Sequence, residues 1–284
     1  MILPDDIKAN ILLRNKSPMD DFFGLSPTEV HHLLYYTFGE KSPVQFRDDI
    51  DDKTLDQIPL FRIAEEYLKI IQRDRQIKLT PLGALPKKVM TELYDKRILP
   101  DEYIENGITK LRREEDCVSI RSARLTTELA GLIKNISGKL TLTKNATKLL
   151  ETNSRLQIFR LFFQAFTDKF PWSFNDGYPE QPIGQLGWAF SVIMLDKFGD
   201  RPQTVEFYAE KYLRAFPNFI TFFRNDYTTP ERQFFRCFGV RTFDRFFLWF
   251  GFVTVDKQKK YLDSDTDKFK RTDLVKNIFN IDNK

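Results

Sequence analysis

Arg121, Arg124 and Glu128 recur at steps of three and four, so a helix carrying them presents all three on one stripe. Two guanidinium groups placed in this way reach base edges or phosphate oxygens if the helix enters a major groove. The same spacing also serves a plainer end, since Arg124 and Glu128 stand i, i+4 and can pair on the surface for roughly a few tenths of a kcal/mol. Lys134 and Lys139 follow as auxiliary phosphate contacts. A second basic set, Arg224, Arg232, Arg236, Arg241 and Arg245, is interleaved with Phe222, Phe223, Phe234, Phe235 and Phe238. Arg241 and Arg245 stand i, i+4 and take the place in their segment that Arg121 and Arg124 take in theirs. The alternative is that arginines keep a Phe-packed helix in solution.

Other residue groups carry weaker chemistry. The run from Phe170 to Pro179 is aromatic and turn-rich, with Trp172, Phe174 and Tyr178 beside Asn175 and Asp176. Rings beside amide and carboxylate groups form a platform for a planar ligand; the commoner use is to plug a gap over helices. His31 and His32 are the only histidines. Adjacent helix positions point about 100° apart and cannot share a metal as an i, i+4 pair does. Asp48, Asp49, Asp51 and Asp52 lack the alternating ligands, central Gly and terminal Glu of a calcium loop. Cys117 and Cys237 supply neither a disulfide framework nor a CxxC zinc spacing and read as core thiols. GxSxG, P-loop, GxGxxG and HExxH motifs are all missing, so the sequence predicts a non-enzymatic protein with no cofactor and no metal.

The elements that must position these residues follow a cadence. Ile120, Ala123, Leu125 and Leu129 mark a helix that Gly131 ends. Leu132-Ile133 begins an extended run that turns at Ser137-Gly138 and returns through Leu140-Thr141-Leu142. Thr143 then caps a helix containing Ala146, Leu149 and Leu150. Helix, two-stranded wing and return helix are the parts of a winged-helix module. The pattern is expected twice more. At Leu60 to Tyr94 a helix runs into a strand at Ile70-Ile71, Ile77-Lys78-Leu79 returns, and Thr80-Pro81 opens the next helix. Near the C-terminus Phe243 to Phe250 is helical, Gly251 stops it, Phe252 to Val255 leaves, Phe269 begins the return, and Thr272-Asp273 restarts a helix reaching Ile278-Phe279. This third wing is the enlarged one.

Elsewhere Ser26-Pro27-Thr28-Glu29 reads as a capping box with Pro at the first helical position, stapled by Leu25 and Val30. Tyr103 to Leu111 reads as a helix, and residues 1–24 as a short helix or docked arm. From Arg155 to Arg224 long helices take over: Leu156 to Phe166 with a wide aromatic face, Leu186 to Phe198 apolar on nearly all sides, and Val205 to Phe216 broken by Pro217. The 28 Phe are concentrated after Phe159.

The predicted class is therefore mainly α with small β-hairpins, repeated winged-helix-like units packed with a Phe-rich helical layer. Its expected divisions are an acidic helical segment (1–58), two winged units (59–152), the Phe-rich layer (153–228) and a third winged unit (229–284). The net charge of +4 is uneven: residues 69–152 carry 17 Lys+Arg against 11 Asp+Glu, whereas residues 1–68 carry 7 against 13. The basic excess coincides with the earlier winged units, a modest form of the footprint a phosphate-facing surface leaves. With no run of about 18 apolar residues and no basic-then-apolar start, the expected location is cytoplasmic, without membrane contact.

Leu25 to Tyr35 and Leu79 to Lys88 resemble segments of an uncharacterised bacterial family found beside SEC-C motifs or plasmid-type open-reading-frame modules. The resemblance implies structural motifs and no catalytic residues. The Cys-rich SEC-C tail is missing from this chain, so metal binding does not carry over. The leading expectation is a nucleic-acid-associated protein contacting DNA or RNA. The alternative is a protein-interaction scaffold whose recognition helices are buried by repeat–repeat packing.

Overall fold

A computed structural model describes residues 5–225, 228–256 and 267–282. In chain order the elements are α1 (Asp5–Lys16), α2 (Pro27–Tyr35), β1 (Val44–Phe46), α3 (Asp52–Leu55), α4 (Pro59–Asp74), β2 (Ile77–Lys78), α5 (Lys87–Tyr94), α6 (Glu102–Glu105) and α7 (Val118–Leu129). There follow β3 (Ile133–Ile136), β4 (Lys139–Leu142), α8 (Lys144–Glu151), α9 (Arg155–Asp168), α10 (Trp188–Phe198), β5 (Gln203–Thr204), α11 (Val205–Ala215) and α12 (Pro230–Phe238). A π-helical stretch (Gly239–Phe247), β6 (Val253–Asp256), β7 (Lys268–Arg271), α13 (Leu274–Ile278) and β8 (Phe279–Ile281) complete the chain. The protein is mainly helical with small antiparallel sheets. Among the described residues no helix is long and apolar enough to cross a membrane.

Contacts divide the chain into two compact units, one of residues 50–175 with 245–251, the other of 1–49, 176–244 and 252–284. The segment expected as one Phe-rich layer, 153–228, thus contributes to both units.

In the first of these units, α4 is amphipathic and buries Leu60, Ile63, Tyr67, Ile70 and Ile71 at helical spacing. Ile70-Ile71 is therefore helix and not the predicted strand. The apolar stripe continues at period 3.6 through both residues and ends only at Arg75, whose φ is +67°. The predicted helix start at Thr80-Pro81 is a turn instead. Gly83 sits at φ +76°, Thr80 N donates to Ala84 O, and α5 begins after Pro86. A helix over Tyr103–Leu111 is reduced to α6, since Gly107 at φ +72° turns the chain away.

The expected hairpin is present: Ile133 pairs with Leu142 and Ile136 with Lys139, about a turn with Ser137 and Gly138 at φ +50° and +75°. Thr143 caps α8 by accepting from Ala146 N. β2 forms no hairpin of its own but adds to the far edge of β4, giving the order β2-β4-β3. The core is aromatic. Phe163 and Phe166 of α9 meet Phe250 at ring distances of 5.1 and 4.9 Å.

In the other unit, Ser26 and Glu29 close the capping box in both directions, and Leu25 and Val30 are buried. α10 is buried through most of its length. The three-stranded sheet here has the order β5-β7-β6, all antiparallel. Phe279 is not the end of a helix as expected: it opens β8, which pairs with β1. The tip of the wing expected to be enlarged, 257–266, lies outside the described residues. At Gly239 the helix of α12 widens into its π-helical continuation. A Cβ there would meet Val205 Cγ1 at 3.0 Å, so only glycine fits without a shift.

Candidate nucleic-acid interface

Strand alternation decides which residues of the sheet β2-β4-β3 look outward. Ile77, Leu140 and Ile133 are buried, while Lys78, Lys139, Lys134 and Ile136 are exposed. Register then sets the neighbours. Lys139 stands directly across from Lys78 on one side and from Ile136 on the other, and Lys134 across from Thr141. None of the three lysines has a carboxylate within ion-pair distance among the described residues. Like charges directly opposite on neighbouring strands are destabilising. The sheet therefore carries an unneutralised basic face that an anion would relieve. The hydroxyl of Thr141 is buried without a hydrogen-bond partner.

The helix predicted to read bases is placed differently. α7 packs against α4 and α9, and seven of its twelve residues are buried. Arg124 is one of them: its Nε donates to Glu114 Oε1 at 2.5 Å and its Nη1 to Glu128 Oε1 at 2.6 Å. Glu114 is fully buried and also accepts from Leu85 N at 2.8 Å. Burial opposes the Arg124 charge, but the hydrogen bond and charge of Glu114 outweigh it, and the guanidinium pKa rises. Arg124 is thus a clamp between α7 and the Leu85 loop and cannot reach a groove, which corrects the outward placement expected for it. Arg121 is half-buried, its guanidinium 4.9 Å over the Phe174 ring and 3.9 Å from Glu115. The uncovered positions of α7 are Val118, Arg121, Leu125, Glu128 and Leu129. They comprise one cation, three aliphatics and a carboxylate already paired with Arg124, and so offer little of the donor and acceptor pattern that base readout requires.

The remaining candidates are also engaged within the fold. Arg241 is fully buried. Its Nε donates to Asp176 Oδ2 at 2.6 Å, and its Nη1 and Nη2 donate to the carbonyls of Gln181 and Pro179 at 2.6 and 2.7 Å. It holds the loop that follows Asp176 and is not a surface cation, as the i, i+4 spacing had suggested. Arg245 donates to the carbonyls of Phe174 and Asn175. Trp172 is buried, packs at a tilt with its ring 4.8 Å from that of Phe246, and donates its Nε1–H to Phe166 O at 2.9 Å. It plugs the core of its unit, and Phe174 is taken up by Arg121, so neither ring face is left for a planar ligand. Tyr178 is half-buried, and burial raises its phenol pKa.

Sequence reasoning missed Lys78, because only the pairing of β2 with β4 brings it beside Lys139. Of the second basic set named from the sequence, Arg232 and Arg236 are exposed one turn apart on α12. A polar cleft of about 740 Å³ lies among α4, α8 and α9. Its carboxylates are tied into ion pairs: Arg155 engages both Glu65 oxygens and Asp56 at 2.7 to 2.9 Å, and Glu66 meets Lys69 and Lys96 at 2.8 and 3.1 Å. No group of three His, Cys, Asp or Glu suited to a metal occurs among the described residues. Comparison with protein-family models, with curated proteins and with solved structures returns no match.

Proposed function

We propose that the chain is a non-enzymatic nucleic-acid-associated protein of winged-helix-like units, gripping the phosphate backbone through the face of Lys78, Lys134 and Lys139. The opposed, unneutralised Lys78–Lys139 pair carries this reading. Two features support the winged-helix-like architecture. In one unit the order, with the four-residue α6 set aside, is helix, strand, helix, helix, strand, strand (α4, β2, α5, α7, β3, β4), with the first strand paired to the last. In the other unit α10, β5, α11, α12, β6 and β7 repeat that order and that pairing. On this reading there are two repeats of about 80 to 90 residues and not three shorter ones. Contact is made by lysines on a sheet and not by a helix read into a groove, so binding depends on salt and little on sequence.

The test is fluorescence anisotropy with labelled duplex and single-stranded DNA and RNA across a salt series. Each phosphate neutralised contributes about 0.7 to 0.9 to the slope of log affinity against log salt. Replacing Lys78, Lys134 and Lys139 together by Ala is expected to lower that slope by about 2 to 3, with Arg121→Ala leaving it unchanged. Absence of salt-sensitive binding at micromolar protein, or a triple variant with the parental slope, would remove the reading. The burial of α7 favours the second reading, a scaffold that recognises another protein; it predicts recovery of a protein partner with no nucleic-acid affinity at all.

A further inference from the structure

Two aliphatic side chains stand at the same end of the sheet β2-β4-β3, and both are in water. Leu82 is 92% exposed and Ile136 57%. Leu82 is held out by a tight turn: Gly83 N donates to Thr80 O at 2.9 Å, Thr80 N to Ala84 O at 2.9 Å, and Ala84 N to the Thr80 hydroxyl at 3.1 Å. Leu79 N donates to Gly138 O at 2.8 Å, which carries the β2–β4 ladder into the hairpin turn and sets the two turns side by side. The Asn135 side chain braces the hairpin turn by accepting from Gly138 N at 3.1 Å. Ile136 ends β3 on the outward side of the sheet. Lys139 stands directly across from it, Lys78 lies beyond Lys139, and Lys134 is two residues back along the same strand face. Neither aliphatic belongs to an apolar patch: Ile136 lies among cations, and Leu82 between Pro81 and Gly83.

We propose that Leu82 and Ile136 are wedges that enter a DNA duplex at a weakened base step, an inference that rests on the phosphate grip of Lys78, Lys134 and Lys139. The outside of an intact duplex is phosphate and sugar, against which an aliphatic side chain gains little. Between unstacked bases the same side chain leaves water. Opening a stacked step costs free energy, and least where the bases are mismatched or bulged. The class of ligand is therefore a duplex interrupted in that way, with the lysines on the phosphates beside the opening. Isolated aliphatics suit this role, since one apolar side chain serves one base step. A protein partner would be met by a contiguous apolar core, and a membrane surface by the continuous apolar face of a helix. Two single side chains on separate turns match neither. Both turns are pinned by their own hydrogen bonds, so insertion requires little further ordering of the protein.

Anisotropy titration of the whole chain against an intact duplex, and against the same duplex carrying a central mismatch, tests the proposal. The parent is expected to bind the mismatched duplex about tenfold more tightly. It should also raise the emission of a fluorescent purine analogue placed beside the mismatch, as that base unstacks. Leu82→Ser with Ile136→Ser should bind the two duplexes equally and leave the analogue unmoved. This double variant should keep the parental salt slope and thermal melt, because both residues are exposed. Leu82→Met with Ile136→Val should retain the preference. Equal parental affinities, an unmoved analogue signal or a serine double variant that still prefers the mismatch would overturn the wedge, while the phosphate grip stands if binding remains salt-dependent. A parent that binds neither duplex removes both, and so does one that instead floats with anionic vesicles through the same two residues.

Discussion

A charge that leaves water must find a partner, and this requirement sorts the arginines. Arg124 and Arg241 are buried with carboxylates and carbonyls around them. Removing one partner leaves the other uncompensated, at a cost of about 3 to 5 kcal/mol. Arg124→Met is therefore expected to lower the urea midpoint sharply. Arg121→Ala, which gives up a ring contact near solvent, should cost no more than about 1 kcal/mol. The two cysteines behave in the same spirit. Both are buried and free, and burial pushes the Cys237 thiol up to about 12, with Arg241 pulling the other way. An ordinary thiol titrates at 9.0, so above that pH the unfolded chain ionises while the native chain does not. The associated stability is present in full below pH 9.0 and declines as pH rises toward about 12. Burial raises the phenols of Tyr67, Tyr208 and Tyr212 in the same direction. Urea midpoints should fall between about pH 8 and pH 11, less steeply in Cys237→Ala. Ellman's reagent should label neither thiol until the chain is unfolded.

At the scale of elements, what is local is well specified. Ser137 and Gly138 both sit at positive φ, the two-residue turn whose twist matches its strands. Asn-Gly suits that turn better, so Ser137→Asn is expected to stabilise the chain by about 0.5 kcal/mol. Gly138→Val should destabilise it by about 1 to 2 kcal/mol. Equilibrium urea unfolding of the two variants gives both signs. This hairpin and the Ser26 capping box were legible because a few adjacent residues carry their entire geometry. Ile70-Ile71 was not, since two β-branched residues at the end of an apolar stripe suit either a strand or one more helical turn. Burial on the α4 face chose the helix. Thr80-Pro81 carried a helix-start signal, but the turn at Gly83 and Pro86 moved the start of α5 to Lys87.

At the scale of the molecule, neither compact unit is a continuous stretch of chain. Residues 245–251 belong with 50–175, where Phe246 and Phe250 pack on Phe163 and Phe166 of α9. A fragment of residues 50–175 alone is therefore expected to lose its cooperative thermal transition and to bind a hydrophobic dye. In the whole chain Phe250→Ala should cost about 3 to 5 kcal/mol. A fragment that melts as sharply as the parent would show that the late segment adds little. The predicted divisions ran in sequence order, because composition changes along the chain reveal stretches and cannot show a short segment returning to an earlier core.

By itself the sequence determined the helical class, the hairpin with its turn, the caps and the basic excess of residues 69–152, all properties of neighbouring residues or of sums over them. Only the tertiary structure decided which cations face water. It turned Arg124 and Arg241 inward and set Lys78 beside Lys139 from across the chain. The physical reason is that a helix stripe or strand face is known from spacing, whereas the side that becomes the interior depends on which distant element arrives to cover it.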